Sequence, residues 1–337
     1  MSVQDNAAGE RQADWKPSDA IKPSPLFAWP IQPFATLKWL LLYPGYLLPW
    51  TAFYATLSAV TWLYLTPDMA TMKTFNLRWI AFIFARNLVS VVLVIGAWHI
   101  QLYVRRAQGA NYKYNSRWPA KDNAKFLFAD QILENIFWTV VSAVPIWTAY
   151  EVLTLWAFAN RLIPFVDWRS HPVYCTLLLI AIPLIHEFHF YWIHRLIHWP
   201  PLYRTIHYLH HKNVNPGPWS GLSMHPIEHV LYFSGVLIHW VLPSHPLHAI
   251  FHLQALGLLP AQGHVGFERV VINGGASIHT GDYGHYLHHK FFECNYCSEL
   301  VPLDKLFGTF HDGSKEAEEL MYKRFRTRRQ QARPRAE

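Results

Sequence analysis

The residues able to do chemistry are histidines, and they are crowded into one half of the chain. Of 21 histidines in 337 residues, all but His99 lie at or after His171. Three spacings stand out. His194-Arg-Leu-Ile-His198 sets two imidazoles one helical turn apart on one face. His207-Tyr-Leu-His210-His211 and His285-Tyr-Leu-His288-His289 then repeat an H-x-x-H-H pattern, whose offsets of three and four place all three imidazoles on one helical side. A lone histidine on an apolar face is commonly a hydrogen-bonded structural residue. Three such groups in apolar surroundings point instead to metal binding, because unpaired polar groups beside hydrocarbon are costly. Eight imidazoles exceed the three or four protein ligands of a single zinc, and suit two ions with four or five nitrogen ligands each. Imidazole accepts iron, copper, nickel and zinc, so the spacing leaves the element open. Counting back from His194 at about 100° per residue reaches Tyr191 and Glu187 on the ligand face. Metal-bound histidines usually give their other N–H to a carboxylate or carbonyl, which makes Glu187 the candidate partner.

The elements that must hold these residues read as membrane helices. The chain is 52% apolar and only 15% charged, against about 25% charged in ordinary soluble domains, which argues against a soluble enzyme. The high apolar content excludes disorder, and three cysteines cannot form a disulfide framework. No charged residue falls between Lys38 and Asp68, a first span. Asn87–Val104 is a second, extended back to about Trp79 with Arg86 facing the bundle or snorkelling. Ile132–Phe158, carrying Glu134 and Glu151, and Val173–Ile193 make the third and fourth. His229–Phe267 is again uncharged, but Pro243-Ser-His-Pro246 divides it into halves of about 20 Å as helix. Each half is too short to cross alone, so the pair is expected to be a re-entrant hairpin dipping into one leaflet. The fold class is therefore an all-α multi-pass bundle, about four spans plus the hairpin, with a histidine-rich helical cap.

Charge placement sets the orientation. Arg105, Arg106, Lys113, Arg117, Lys121 and Lys125 face one Asp122 in the loop after the second span, which places that loop in the cytoplasm. The fourth helix then ends on the same side, as does the C-terminal tail with Lys323, Arg324, Arg326, Arg328, Arg329, Arg333 and Arg335, so the metal site is expected to be cytoplasmic. The net charge of +7 thus reads as topology and anionic-lipid contact; no nucleic-acid partner is implied. The chain divides into a polar tail (1–34), N-terminal transmembrane helices (35–172), a catalytic region (173–312) and a basic tail (313–337). The first 34 residues lack the pattern of a cleaved signal peptide, so the first span is expected to be retained. The C-terminus shows no retrieval signal of the endoplasmic reticulum, which favours a bacterial inner membrane over that organelle.

At these residues the sequence resembles the fatty acid hydroxylase/sterol desaturase superfamily of integral-membrane di-iron oxygenases. The resemblance covers roughly residues 180–312 and rests on the three histidine motifs in order. Tyr191-Trp192-x-His194-Arg195 opens the series, and Asn295-Tyr296 followed by Leu303-Asp304-Lys305-Leu306-Phe307-Gly308-Thr309 closes it. It implies two iron ions that activate O2 for hydroxylation or desaturation of a C–H bond in a membrane lipid, of sterol or fatty-acyl type. By the same resemblance His194, His207, His210, His285 and His288 hold one iron. His198, His211, His289 and His264, which sits in Gly263-His264-x-Gly266-Phe267-Glu268, hold the other. His225-Pro-Ile-Glu228-His229 resembles the family's His-Pro-x-Glu; His225 or His229 completes the second iron or else caps a helix. Glu187 stands where the family commonly has Asp, and Cys297 where a Gly often follows Asn-Tyr, which creates Cys294-x-x-Cys297.

Other residues read more plainly. That C-x-x-C lacks a thioredoxin-like context and is read as incidental. His186 and His189 point away from the ligand face and are read as structural, and His239, His245, His248 and His252 as interfacial. Glu268, Asp282 and Glu293 are either partners of ligands or ordinary solvated carboxylates, and the Pro/Gly-rich loop Asn213–Gly221 is a lid, a substrate rim or a turn. No dinucleotide fingerprint or iron–sulfur cysteine set is present, so a separate donor is expected, of cytochrome b5 or ferredoxin/reductase type. Two other classes remain open: a zinc or copper transporter or metal-binding protein, and a bis-histidine haem protein.

Overall fold

The computed structural model describes residues 14–331 apart from 273, 274, 281 and 299. Residues 1–13 of the expected N-terminal tail, and Arg333 and Arg335 of the basic tail, lie outside the described residues. Helices dominate: α1 (Pro33–Leu41), α2 (Ala52–Tyr64), α3 (Leu77–His99), α4 (Gln131–Trp138), α5 (Val144–Ala159), α6 (Pro172–Ile197), one-turn α7 (Pro200–Leu202) and α8 (Tyr208–His211). They continue with α9 (Pro226–Phe233), α10 (Pro246–Gly263), α11 (Tyr283–Phe291), α12 (Leu303–Leu306) and α13 (Lys315–Gln331). Between α10 and α11 lies an antiparallel pair, β1 (Arg269–Val271) and β2 (Ser277–His279), a small departure from the all-helical expectation.

Among the described residues, three helices are long and apolar enough to cross a membrane by length and composition: Leu77–Val104, Gln131–Ala159 and Pro172–Ile197. The first runs α3 on through a wide turn, and the second joins α4 to α5 through another. Their starts follow from capping chemistry. The Asn76 side chain accepts the N–H of Arg78 (2.8 Å), and Asp130 accepts those of Ile132 and Leu133 (2.8 and 3.0 Å), satisfying donors that a helix start leaves free. These three are the expected second, third and fourth spans.

The expected first span is not one helix. Pro44, Gly45 and Pro49 interrupt it between α1 and α2, and Leu48 leaves the helical region altogether (φ −115°, ψ 132°). Proline lacks the N–H that would continue the ladder and clashes with the preceding turn. What remains is α2, 13 residues and about 20 Å long, packed on α10.

The hairpin returns to the histidine end as expected, but it reaches deeper. Its turn lies against the loop joining α5 to α6: Val166 N–H donates to Ser244 O (3.1 Å) and Ser244 N–H to Pro164 O (3.2 Å). That loop is at the opposite end of α6 from His194. With 18 residues, α10 is about 27 Å long and packs against α2, α3, α5, α6 and α9. It is the central post of the bundle. Gly257 makes this possible, because a Cβ there would come within 2.3 Å of the buried Trp147 ring. His239, His248 and His252 are wholly buried rather than interfacial. His239 meets Ser244 Oγ (2.9 Å) and His252 Nδ1 (3.2 Å), while His248 meets Cys175 O (2.8 Å); His252 Nε2 has no partner among the described residues.

Arg86 faces the bundle, where it is buried against Glu151; Asn87 Nδ2 donates to the other Glu151 oxygen (2.9 Å). The described part of the N-terminal tail straps across the cap. Trp15 N–H donates to Lys113 O (3.0 Å), Ile21 N–H to Asp312 O (2.8 Å), and Trp15 and Ile21 pack on Tyr114, Tyr283, Tyr286 and Met321 of α13.

Candidate metal centre

The nine histidines from the three motifs and His264 converge at the end of α6, and they sort into two groups. His194, His198, His207, His211 and His288 form the first; His210, His264, His285 and His289 form the second. Within each group one nitrogen per ring lies within 4.8 Å of all the others. In the first, the Nε2 of His198 is 3.0 Å from that of His207, 3.1 Å from His211 and 3.2 Å from His288. In the second, the Nε2 of His264 is 3.0 Å from His285, 3.0 Å from His289 and 3.3 Å from His210.

This sorting corrects the division implied by the resemblance, which put His210 and His285 with His194, and His198 and His211 with His289. The reason lies in helical geometry. Residues four apart differ by about 40° around a helix and converge, whereas the residue three along lies about 60° to the other side. His207 and His211 therefore go to the first group and His210 to the second; His285 and His289 go to the second and His288 to the first. Each H-x-x-H-H splits between the two groups, in opposite senses. Nor is the first triplet one regular helix: His207 ends a wide turn, Tyr203–His207, and α8 begins after it.

Several rings are locked with Nε2 as the free acceptor. His194 Nδ1 donates to Tyr296 O (2.5 Å), His288 Nδ1 to Cys294 O (2.6 Å), His264 Nδ1 to Pro260 O (2.7 Å) and His207 Nδ1 to Glu228 Oε1 (2.7 Å). Burial, reinforced by neighbouring imidazoles, holds His207, His210, His211, His285, His288 and His289 well below the usual histidine range. Neutral rings thus aim lone pairs at common points, an arrangement that repels itself unless a cation sits there. Nitrogens about 2.1 Å from an ion lie about 3.0 Å apart at right angles and about 3.4 Å apart at the tetrahedral angle. The observed spacings of 3.0–3.3 Å fit that range, so the donor set suits two metal ions. Five imidazoles in one group exceed a closed tetrahedral zinc site.

The other expected residues take other places. His225 joins neither group; its Nδ1 accepts the Ile227 N–H (3.2 Å) and caps α9. His229 is tied to Ser142 Oγ (2.8 Å) and Leu222 O (3.1 Å). Glu187 accepts a hydrogen bond from Ser298 Oγ (2.6 Å) and the Tyr191 ring stacks on Phe307 at 5.6 Å; neither is hydrogen-bonded to an imidazole. Tyr191 lies just under one turn and Glu187 about two turns before His194, and both meet the closing loop at 294–309. Among the described residues, the carboxylate that holds an imidazole of the two groups is Glu228, missed by sequence reasoning although its motif was singled out. His186 and His189 join neither group, as expected, and His189 meets Ser234 Oγ (3.0 Å). Glu268 accepts from His279 (2.6 Å) and Tyr114 (2.7 Å), Asp282 caps α11 at the His285 N–H (2.7 Å), and Glu293 pairs with Arg328.

Two loops set the ligand positions. Cys294 and Cys297 are free and buried; Cys294 and Tyr296 lend their carbonyls to His288 and His194. Asp304 fixes that loop by accepting the Cys297 N–H (2.9 Å), and the Asn295 side chain grips Gly284 O, His311 O and His311 N at 2.7–3.1 Å. Asn213–Gly221 is largely buried rather than a rim, with Asn213 Oδ1 accepting from Gln131 and Asn135 (2.9 and 3.0 Å). A Cβ at Gly221 would sit 2.5 Å from Pro260 O, so only glycine allows the approach beneath the carbonyl that holds His264.

A cavity of about 40 Å³ adjoins both groups. Phe190, Ile193, Ile197, Met224, Tyr232 and Pro260 wall it, with His194 and His207 from the first group, His210, His264 and His285 from the second, and Glu228. A larger apolar cavity, about 360 Å³, opens between α2 and α6 and touches none of the nine imidazoles.

Residues 179–309 match the fatty acid hydroxylase family. Among curated proteins the chain is similar to a Delta(7)-sterol 5(6)-desaturase of Aspergillus fumigatus, 29% identical over 163 residues, 46% of this chain and 44% of the relative. A Delta(7)-sterol-C5(6)-desaturase of Nicotiana tabacum is 28% identical over 190 residues, 52% of this chain and 63% of the relative. A methylsterol monooxygenase of Aspergillus fumigatus is 31% identical over 160 residues, 44% of this chain and 50% of the relative. The chain spans about half the length of the curated relatives it matches. No solved structure matches.

Proposed function

We propose, on the premise that residues 179–309 form a domain of the fatty acid hydroxylase/sterol desaturase superfamily, that this membrane protein is a lipid-modifying oxidoreductase. The reaction is O2-dependent hydroxylation or desaturation of a C–H bond, with two iron ions held by the nine grouped histidines. The carrying observation is the convergence of nine imidazoles, four of them tautomer-locked, into two groups that border one cavity.

Bound iron supplies the one-electron chemistry that activates O2. Everything else falls to the chain. The hydrogen bonds to Tyr296 O, Cys294 O, Pro260 O and Glu228 Oε1 keep each ring's Nε2 directed inward. The walls from Phe190, Ile193, Ile197, Met224 and Tyr232 leave about 40 Å³ beside both groups, room for a few methyl-sized groups, so a short stretch of lipid reaches both at once. Glu228 Oε2 has no hydrogen-bond partner among the described residues and faces this cavity, where it can hold a proton. Hydroxylation consumes O2, two electrons and two protons and releases one water; desaturation consumes the same and releases two. The electrons come from a separate carrier on the cytoplasmic face.

Metal analysis of the purified chain tests the reading, together with O2 uptake and lipid profiling in cells with and without the gene. About two irons per chain, lost on His288→Ala with His289→Ala, and a lipid altered by one oxygen or two hydrogens support it. Stoichiometric zinc in protein made with ample iron refutes it and favours a transporter; a Soret band favours haem.

A further inference from the structure

We infer that a single water molecule is bound between α6 and the hairpin, bridging His189 Nδ1 and His252 Nε2 beside Gly235. Hydrogen-bond direction fixes the tautomers. The Ser244 hydroxyl donates to Leu242 O (2.9 Å), so its oxygen accepts the His239 Nδ1–H (2.9 Å). That leaves His239 Nε2 as a lone pair, which accepts the His252 Nδ1–H (3.2 Å). On the other side Ser234 donates to Leu231 O (2.6 Å) and accepts the His189 Nε2–H (3.0 Å). Among the described residues no carboxylate bonds to His189 or His252, so both rings stay neutral in this apolar bundle. A neutral imidazole has one N–H and one lone pair, and the lone pairs left over are His252 Nε2 and His189 Nδ1. Both atoms are buried, and neither has a partner among the described residues.

The two lone pairs meet at one glycine. A Cβ on Gly235 would lie 3.2 Å from His189 Nδ1 and 3.4 Å from His252 Nε2, so the missing side chain leaves a recess that both nitrogens border. Two lone pairs facing one recess call for a group with two hydrogens to give, which is what water offers. A lipid hydroxyl has one hydrogen and would serve one nitrogen only. A metal ion matches less well: the described residues gather three or more donors within 4.8 Å only at the two groups of the metal centre, and two imidazoles fall short of a closed site. With the water in place a chain runs from Ser234 through His189, water, His252 and His239 to Ser244, and its hydrogen bonds all point outward to the Leu231 and Leu242 carbonyls. The chain ties together α6, α10 and the end of α9, the elements that lead to His194, His264 and Glu228.

Proton-detected solid-state NMR tests this on the full chain, isotope-labelled at the histidine nitrogens and loaded with diamagnetic zinc. Bilayers of phosphatidylcholine, a lipid without a hydroxyl, leave water as the external source of O–H. Contacts to water protons are expected at both His189 Nδ1 and His252 Nε2, and both are expected to vanish in Gly235→Ala, whose methyl fills the recess. A water contact missing at either nitrogen, or contacts that survive Gly235→Ala, overturn the inference. Thermal unfolding gives a second reading. His189→Leu and His252→Leu each strand the opposite lone pair and are expected to lower the melting temperature by about 2–4 °C. The double variant removes both lone pairs and is expected to lose less than the two single losses together; losses that add overturn the bridge.

Discussion

Glu228→Gln separates the two histidine groups. Glu228 Oε1 accepts the His207 Nδ1–H at 2.7 Å, and both residues are at most 2% exposed. The carboxylate orients the ring and raises the basicity of the opposite nitrogen, which belongs to the five-histidine group. Glutamine keeps the size and one acceptor oxygen but removes the charge. Loss of such a partner costs about 10–100-fold in metal affinity, or about 1.4–2.7 kcal/mol. The four-histidine group has no such dependence, since its buttressed ring, His264, leans on the backbone carbonyl of Pro260. Metal-loaded protein titrated with a chelator should therefore release one ion at about 10–100-fold lower chelator concentration than wild type, and the second unchanged. Equal shifts for both ions, or none for either, would refute the assignment of Glu228 to one group.

Gly221→Ala should press on the Pro260 backbone, destabilise the protein by about 1–3 kcal/mol and loosen metal in the four-histidine group first, which thermal unfolding and metal analysis will show. Glu151→Leu alone should cost about 3–5 kcal/mol by leaving Arg86 buried and unpaired, whereas Glu151→Leu with Arg86→Met should recover most of the loss; equal melting temperatures in the two variants would argue against a functional pair. Burial, opposed by Asp14, brings the Lys113 ammonium down to about 7, among Tyr103, Trp118 and Phe267. Between that value and the ordinary 10.5 the unfolded chain binds a proton that the folded chain has lost, so stability should rise with pH across this window. Lys113→Met should flatten that rise in denaturation measurements.

The sequence carried the histidine motifs and the long apolar helices because both are local patterns. His194 and His198 share a face at any position of a helix, and Leu77–Val104 is apolar whatever surrounds it. Glu228 was harder: it is 21 residues from His207 and meets it only because α9 turns back toward the histidine end. The sorting of ligands also needed two segments in space, since adjacent histidines such as His210 and His211 diverge toward different partners. Hydropathy misled at Pro44, Gly45 and Pro49, where an uncharged run hides a chain that cannot stay helical. It misled again at His239 and His252, which tolerate burial by bonding to each other.

The interleaving of the two histidine groups has a consequence for how the protein is made. Neither group contains its full ligand set until α11 arrives, because His288 completes the first and His285 and His289 the second. A chain emerging from the ribosome has by then already produced α3 to α6 and the hairpin. Before α11 the four-histidine group has only His210 and His264, too few to hold an ion firmly, whereas His194, His198, His207 and His211 already give the other group four of its five imidazoles. On the reading of the groups as metal sites, the four-histidine group would be the last to take its ion, when α11 closes over the bundle.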